Sequence, residues 1–157
     1  MSTDVTVDRS HPDGPVLLLE RRLPHPAARV WEAITRSDAL SRWFPCRIEL
    51  EPREGGAITF LFDGEEPEVS RVTECDPPRA LAYEWSGERL RWTIEPDGDG
   101  CVLRLSNTIL DPDWMPRTAA GWDACFDDLS SLLAGERPTG RSGPDDERIA
   151  RFRSQLM

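Results

Sequence analysis

The chain contains no lysine: all 19 of its basic residues are arginine. Schiff-base chemistry through a side-chain amine is thereby excluded, which leaves only the α-amino group for it. Histidine is limited to His11 and His25, and the cysteines Cys46, Cys75, Cys101 and Cys125 are isolated, with no CxxC pair among them. A zinc site would require these distant residues to converge, whereas small buried thiols in a reducing compartment require nothing of the kind, so no metal is expected. No apolar run approaches the roughly 20 residues of a membrane-spanning helix. Neither a P-loop nor a Rossmann glycine pattern occurs, and no acidic run has the ordered spacing of a calcium loop, so no cofactor is expected.

What is present is one domain's length, 157 residues, with 38% hydrophobic and 31% charged residues. That composition is globular rather than disordered. Acidic residues number 29 against 19 basic, a formal charge of −10. Such a surface repels phosphate backbones and anionic membranes at long range, so neither nucleic-acid binding nor membrane insertion is expected.

Residues 1–14 are polar, with Pro and Gly, and read as a mobile leader. They have no basic start or apolar run, so they fit neither a secretory signal nor a lipid anchor, and the expected location is cytoplasmic. Val16–Leu23 reads as a strand. His25 and Pro26 then open a helix carrying Ala27, Val30, Trp31 and Ile34 at helical spacing. A second short helix, capped by Ser37 or Asp38, carries Leu40, Trp43 and Phe44 and stops at Pro45.

Between residues 47 and 109 the pattern changes to short alternating runs separated by turn residues, the pattern of an antiparallel meander. Six strands are expected: 47–50, 57–62, 68–74, 80–86, 89–95 and 101–109. Period-two reading places Ile58, Phe60 and Phe62 on one face, followed by Leu81, Tyr83 and Trp85, then Leu90, Trp92 and Ile94, then Leu103, Leu105, Asn107 and Ile109. The alternate positions, such as Glu84, Arg91, Thr93 and Arg104, are mostly polar. One face is buried and the other is wet.

The buried face needs a cover, and residues 117–133 supply it as a helix whose apolar stripe is Trp122, Cys125, Phe126, Leu129, Leu132 and Leu133. Asp123, Asp127 and Asp128 are expected to face away. Pro116 suits the helix start and Gly135 its end. The resulting order, β-α-α-β6-α, defines an α+β helix-grip fold: a curved antiparallel sheet of about seven strands wrapped on a long C-terminal helix, over residues 15–135. Beyond it, residues 136–157 read as a linker followed by a short docking helix marked by Ile149, Phe152 and Leu156.

The run from Pro26 to Thr35, PAARVWEAIT, is followed by Leu40 and by Trp43-Phe44. Gly55-Gly56 precede Phe60, Asp76-Pro77-Pro78-Arg79-Ala80-Leu81 lead to Trp85, and Gly121-Trp122 lie in the last helix. In this order and spacing they resemble a bacterial member of the activator of heat shock protein 90 ATPase homologue (AHSA-like) family, within the START/SRPBCC superfamily of helix-grip domains. The resemblance covers about residues 16–135. It implies an apolar cavity between sheet and C-terminal helix, used across the superfamily for hydrophobic small molecules. It does not imply a reaction, since relatives include cyclases, aromatases and co-chaperones. Many bacterial relatives carry His where this chain has Asn107, so chemistry that depends on that His does not transfer.

Among the inward positions, Asn107 is a polar group that must find partners when buried, and it could orient a ligand or bond to backbone and water. Tyr83, the single tyrosine, needs a partner for its hydroxyl. Phe60, Phe62, Trp85, Trp92, Leu105, Trp122, Cys125, Phe126 and Leu129 complete the set expected to line a cavity or to fill a core. So many large rings favour a small cavity over a lipid-sized one. No nucleophile pairs with a base: His11 is in the leader, His25 belongs to a helix start, and Cys125 has no histidine beside it on the helix. The leading expectation is non-catalytic binding of a hydrophobic small molecule. The alternative is a co-chaperone or stress-response protein that binds a chaperone or other protein through its acidic exterior, and a cyclase- or hydrolase-like enzyme comes third.

Overall fold

The computed structural model describes residues 3–137 and 145–157. The elements run β1 (Asp4–Asp8), β2 (Val16–Leu23), α1 (Ala27–Thr35), α2 (Ser37–Trp43), β3 (Arg47–Leu50), β4 (Ala57–Leu61), β5 (Glu68–Asp76), β6 (Ala80–Trp85), β7 (Glu88–Asp97) and β8 (Gly100–Thr108). A short 3₁₀ turn (Pro112–Trp114) then leads into the long helix α3 (Met115–Leu133), and α4 (Asp146–Leu156) ends the chain. The eight strands form one antiparallel sheet in the order β1-β2-β8-β7-β6-β5-β4-β3. This is the expected helix-grip architecture with one strand added.

The added strand corrects the reading of residues 1–14 as a mobile leader. Asp4–Asp8 pairs with β2 from Asp4 opposite Glu20 to Asp8 opposite Val16, and Val5 is buried. The segment DVTVD has too few apolar residues to announce itself; pairing to a preformed neighbour makes it a strand. The expected linker falls largely on residues 138–144, which lie outside the described residues.

Alternation explains the core. Leu17, Leu19 and Leu23 on β2, Ile58 and Phe60 on β4, Leu81 and Tyr83 on β6, Leu90, Trp92 and Ile94 on β7, and Leu103, Leu105 and Asn107 on β8 are all buried. Helix α3 lays Ala119, Trp122, Phe126 and Leu129 against this face. Helices α1 and α2 pack on the same core, and the Trp43 indole N–H donates to the Ala33 carbonyl at 2.9 Å. Fully burying each large aromatic ring contributes about 2–3 kcal/mol.

Two inward and outward assignments are corrected. Phe62 is 37% exposed: β4 ends at Leu61, before the Asp63-Gly64 turn, so its alternation does not reach residue 62. Asp123 is buried instead of facing away, because α4 packs on that side of α3 and brings guanidinium groups to it: Arg151 at 2.9 Å and Arg148 at 3.5 Å. Its neighbour on the helix, Asp127, receives the buried Arg21 of β2 at 2.7 Å. Ile149, Phe152 and Leu156 form the buried side of α4, as their spacing predicts.

Candidate functional site

The interior between sheet and α3, where an apolar cavity was expected, is occupied by rings. Trp92 meets Trp43 and Trp122 edge-on, each at 5.5 Å between centroids, and Phe126 at 6.0 Å. Phe44 contacts Trp122 at 5.5 Å and Phe60 at 6.1 Å. The Trp92 indole N–H donates to the Tyr83 hydroxyl oxygen at 2.9 Å. Burial pushes that hydroxyl's pKa well above its ordinary value, so Tyr83 stays neutral and serves packing. Leu105, Cys125 and Leu129 are also buried in this layer. The Cys125 thiol is likewise pushed up, first by burial and then by Asp128, so it is held as an unreactive thiol.

A cavity of about 530 Å³ opens instead at one end of the helix, between the β6–β7 hairpin, the end of β8 and the first turns of α3. Trp85, Asn107 and Trp122 of the expected set line it. Phe60, Tyr83, Trp92, Leu105, Cys125, Phe126 and Leu129 do not; they pack in the core behind it. Phe62 stays outside and stacks on Trp85 at 6.3 Å, extending an aromatic ladder that begins with Phe60 on Trp85 at 5.2 Å.

The remaining wall comes from Pro45, Ser86, Glu88, Trp114, Arg117, Thr118 and Gly121, which were not among the expected site residues. Trp114 precedes the apolar stripe of α3 and is 58% exposed. The Arg117 guanidinium lies over its ring, 5.0 Å from the centroid. A tryptophan placed off the stripe of its helix was the available signal. Gly121 was another: a Cβ there would meet nothing within 4 Å, so the gap in mid-helix serves no close packing and instead leaves the cavity open.

The hairpin side is braced by carboxylates. Ser86 (φ 52°) and Gly87 (φ 81°) form a tight turn with both residues left-handed, and the serine is held there by Glu68. Its N–H donates to Glu68 Oε2 at 2.6 Å and its hydroxyl to Oε1 at 3.0 Å. Glu88 accepts from the Asn107 amide at 3.0 Å through Oε1 and from the Leu110 N–H at 3.0 Å through Oε2. Asn107 also donates to the Thr108 carbonyl at 2.7 Å and accepts from the Trp122 indole at 2.8 Å. The buried amide therefore has its partners within the protein. The Trp85 indole nitrogen, by contrast, is buried with no partner among the described residues.

No group of three or more His, Cys, Asp or Glu side chains among the described residues is arranged to hold a metal ion. No helix among them is long and apolar enough to cross a membrane.

A curved antiparallel sheet gripping a long helix, with an aromatic cavity at the helix end, defines a helix-grip protein of the SRPBCC type. The match to the family described as "Activator of Hsp90 ATPase homolog 1-like protein" spans residues 24–134, and the chain belongs to that family. Among curated proteins none matches. Similar solved structures include CalU16 from Micromonospora echinospora, 23% identical with a TM-score of 0.71 over 99% of this chain and 95% of that one. The conserved protein of unknown function EF2215 from Enterococcus faecalis is 18% identical, with a TM-score of 0.78 over 97% of this chain and 90% of its own. The BPP1335 protein from Bordetella parapertussis is 24% identical, with a TM-score of 0.67 over 97% and 88%. At these identities the likeness is one of fold.

Proposed function

We propose that this chain binds a hydrophobic, ring-containing small molecule in the cavity bounded by Trp85, Trp114 and Trp122. The observation that carries the reading is the cavity itself: about 530 Å³ of space with three indoles in its wall, set among the polar side chains of Ser86, Glu88, Asn107, Arg117 and Thr118. That makeup is usual for a small-molecule site. The wall chemistry supports binding without turnover. Its ionisable side chains are Glu88 and Arg117, and its Ser86 hydroxyl is committed to Glu68, so no nucleophile stands beside a free base.

The test is native mass spectrometry of the purified protein against its denatured mass, followed by titration of the emptied protein with the neutral probe N-phenyl-1-naphthylamine. Added mass lost on denaturation, or saturable probe binding abolished by Gly121→Leu, supports the reading. An unliganded mass together with no saturable probe binding ends it. A protein partner is the second reading, favoured by the exposed Leu110 and Trp114 near the cavity mouth and by the family's chaperone-linked description. Binding of a chaperone that is lost with Trp114→Ala and indifferent to the probe would select it.

A further inference from the structure

The hydrogen-bonding groups of the cavity wall are unequally engaged. Its side-chain acceptors, Glu88 and Asn107, already take N–H groups from Asn107, Leu110 and Trp122. The hydroxyl protons are committed too, Ser86 to Glu68 and Thr118 to the Trp114 carbonyl at 3.3 Å. Two donors remain. The Trp85 indole N–H is closed off from solvent without an acceptor, and Arg117, exposed at the cavity mouth, stacks on Trp114 and has no hydrogen bond or ion pair among the described residues. A solvated guanidinium without an ion-pair partner, beside indole rings, is a ready site for a carboxylate.

Resting on the reading above, we infer that the ligand is an aromatic carboxylate, its rings against Trp85 and Trp122 and its acid group on Arg117 at the first turn of α3. The positive end of the α3 dipole acts in the same direction. The chain's net charge of −10 opposes anions at long range, so selectivity for one has to come from this local cation, on the helix side of the cavity and away from the hairpin that carries Glu88. Arg117 sets which end of the ligand faces the mouth, while the indoles accept any flat ring system of suitable size.

The experiment compares two probes of one shape, 2-naphthoate and 2-naphthamide, by isothermal titration calorimetry on the whole chain. The carboxylate is expected to bind about tenfold more tightly than the amide, the difference between a charge-assisted hydrogen bond and a neutral one. Arg117→Gln should remove that preference and leave amide binding within about twofold, and Arg117→Lys should restore part of it because the charge returns without the planar fork. Equal binding of the two probes by the unaltered protein, or a preference that survives Arg117→Gln, overturns the inference and leaves the ring-binding cavity standing. Binding of neither probe overturns both.

Discussion

The Trp122 indole N–H donates to the Asn107 side-chain oxygen at 2.8 Å, joining α3 to β8 through two buried groups. The same amide donates to Glu88 and to the Thr108 carbonyl, so one side chain ties together the helix, the sheet and the hairpin that frame the cavity. Asn107→Leu removes all three bonds and strands the Trp122 N–H in the interior. Leaving such a group unsatisfied costs about 1–3 kcal/mol. The expected outcome is a loss of about 2–3 kcal/mol in urea unfolding, with little change in 2-naphthamide affinity measured below the transition. A large affinity loss at unchanged stability would mean that the amide turns to the ligand.

Gly121 is expected to give effects of opposite sign. It lies inside α3, where alanine is favoured over glycine by about 1 kcal/mol, and a Cβ there meets nothing within 4 Å. Gly121→Ala should therefore raise thermal stability by about 0.5–1 kcal/mol while narrowing the cavity and weakening probe binding. A variant that is both more stable and a better binder would contradict the placement of the ligand at this helix face.

The architecture was legible because alternation and helix caps are local. Ile58, Phe60, Leu90, Trp92 and Ile94 announce a buried sheet face, and Pro116 and Gly135 bracket the covering helix. Partners are not local. The sequence marks Asn107 as an inward polar residue, but nothing in its strand says that Trp122, 15 positions later, supplies the donor. Arg21 shares the inward phase of Leu17, Leu19 and Leu23, yet its partner Asp127 is 106 residues away. The exact position of the cavity along α3 was not legible for a related reason. Inward aromatic residues could line a void or fill it, and only their ring contacts show that Trp92, Phe60 and Phe126 fill it, leaving space where Gly121 has no side chain.

Tyr83, the single tyrosine, gives a clean optical prediction. Its hydroxyl is buried and its pKa lies above the ordinary value near 10, so the folded protein holds the proton at a pH where the unfolded chain releases it. The unfolded state then binds fewer protons, and stability falls as pH rises through 10. Absorbance near 295 nm should show no phenolate in the folded protein at pH 10.5 and a step on unfolding. A smooth titration near pH 10 with the fold intact would place Tyr83 at the surface. Tyr83→Phe should remove this part of the alkaline sensitivity.

Arg21 and Arg104 lie on adjacent strands, and each faces two carboxylates, which makes them a controlled test of burial. Arg21 is 4% exposed; it reaches Asp127 at 2.7 Å and Asp123 at 3.9 Å and donates to Ser130 at 2.9 Å. Arg104 pairs with Glu95 at 2.6 Å and Glu20 at 3.2 Å, but all three side chains are at least 43% exposed. Replacing Arg21 by Met leaves the buried Asp123 with only the α4 guanidinium groups and costs about 3 kcal/mol, because an undercompensated charge stays in the interior. Replacing Arg104 by Met frees two carboxylates that water already reaches, and costs less than about 1 kcal/mol. Urea unfolding at low and high salt distinguishes the two: the Arg104 effect should fade with salt, and the Arg21 effect should largely persist. Equal losses for the two variants would show that the Arg21 cluster is wet and that α4 does not seal it.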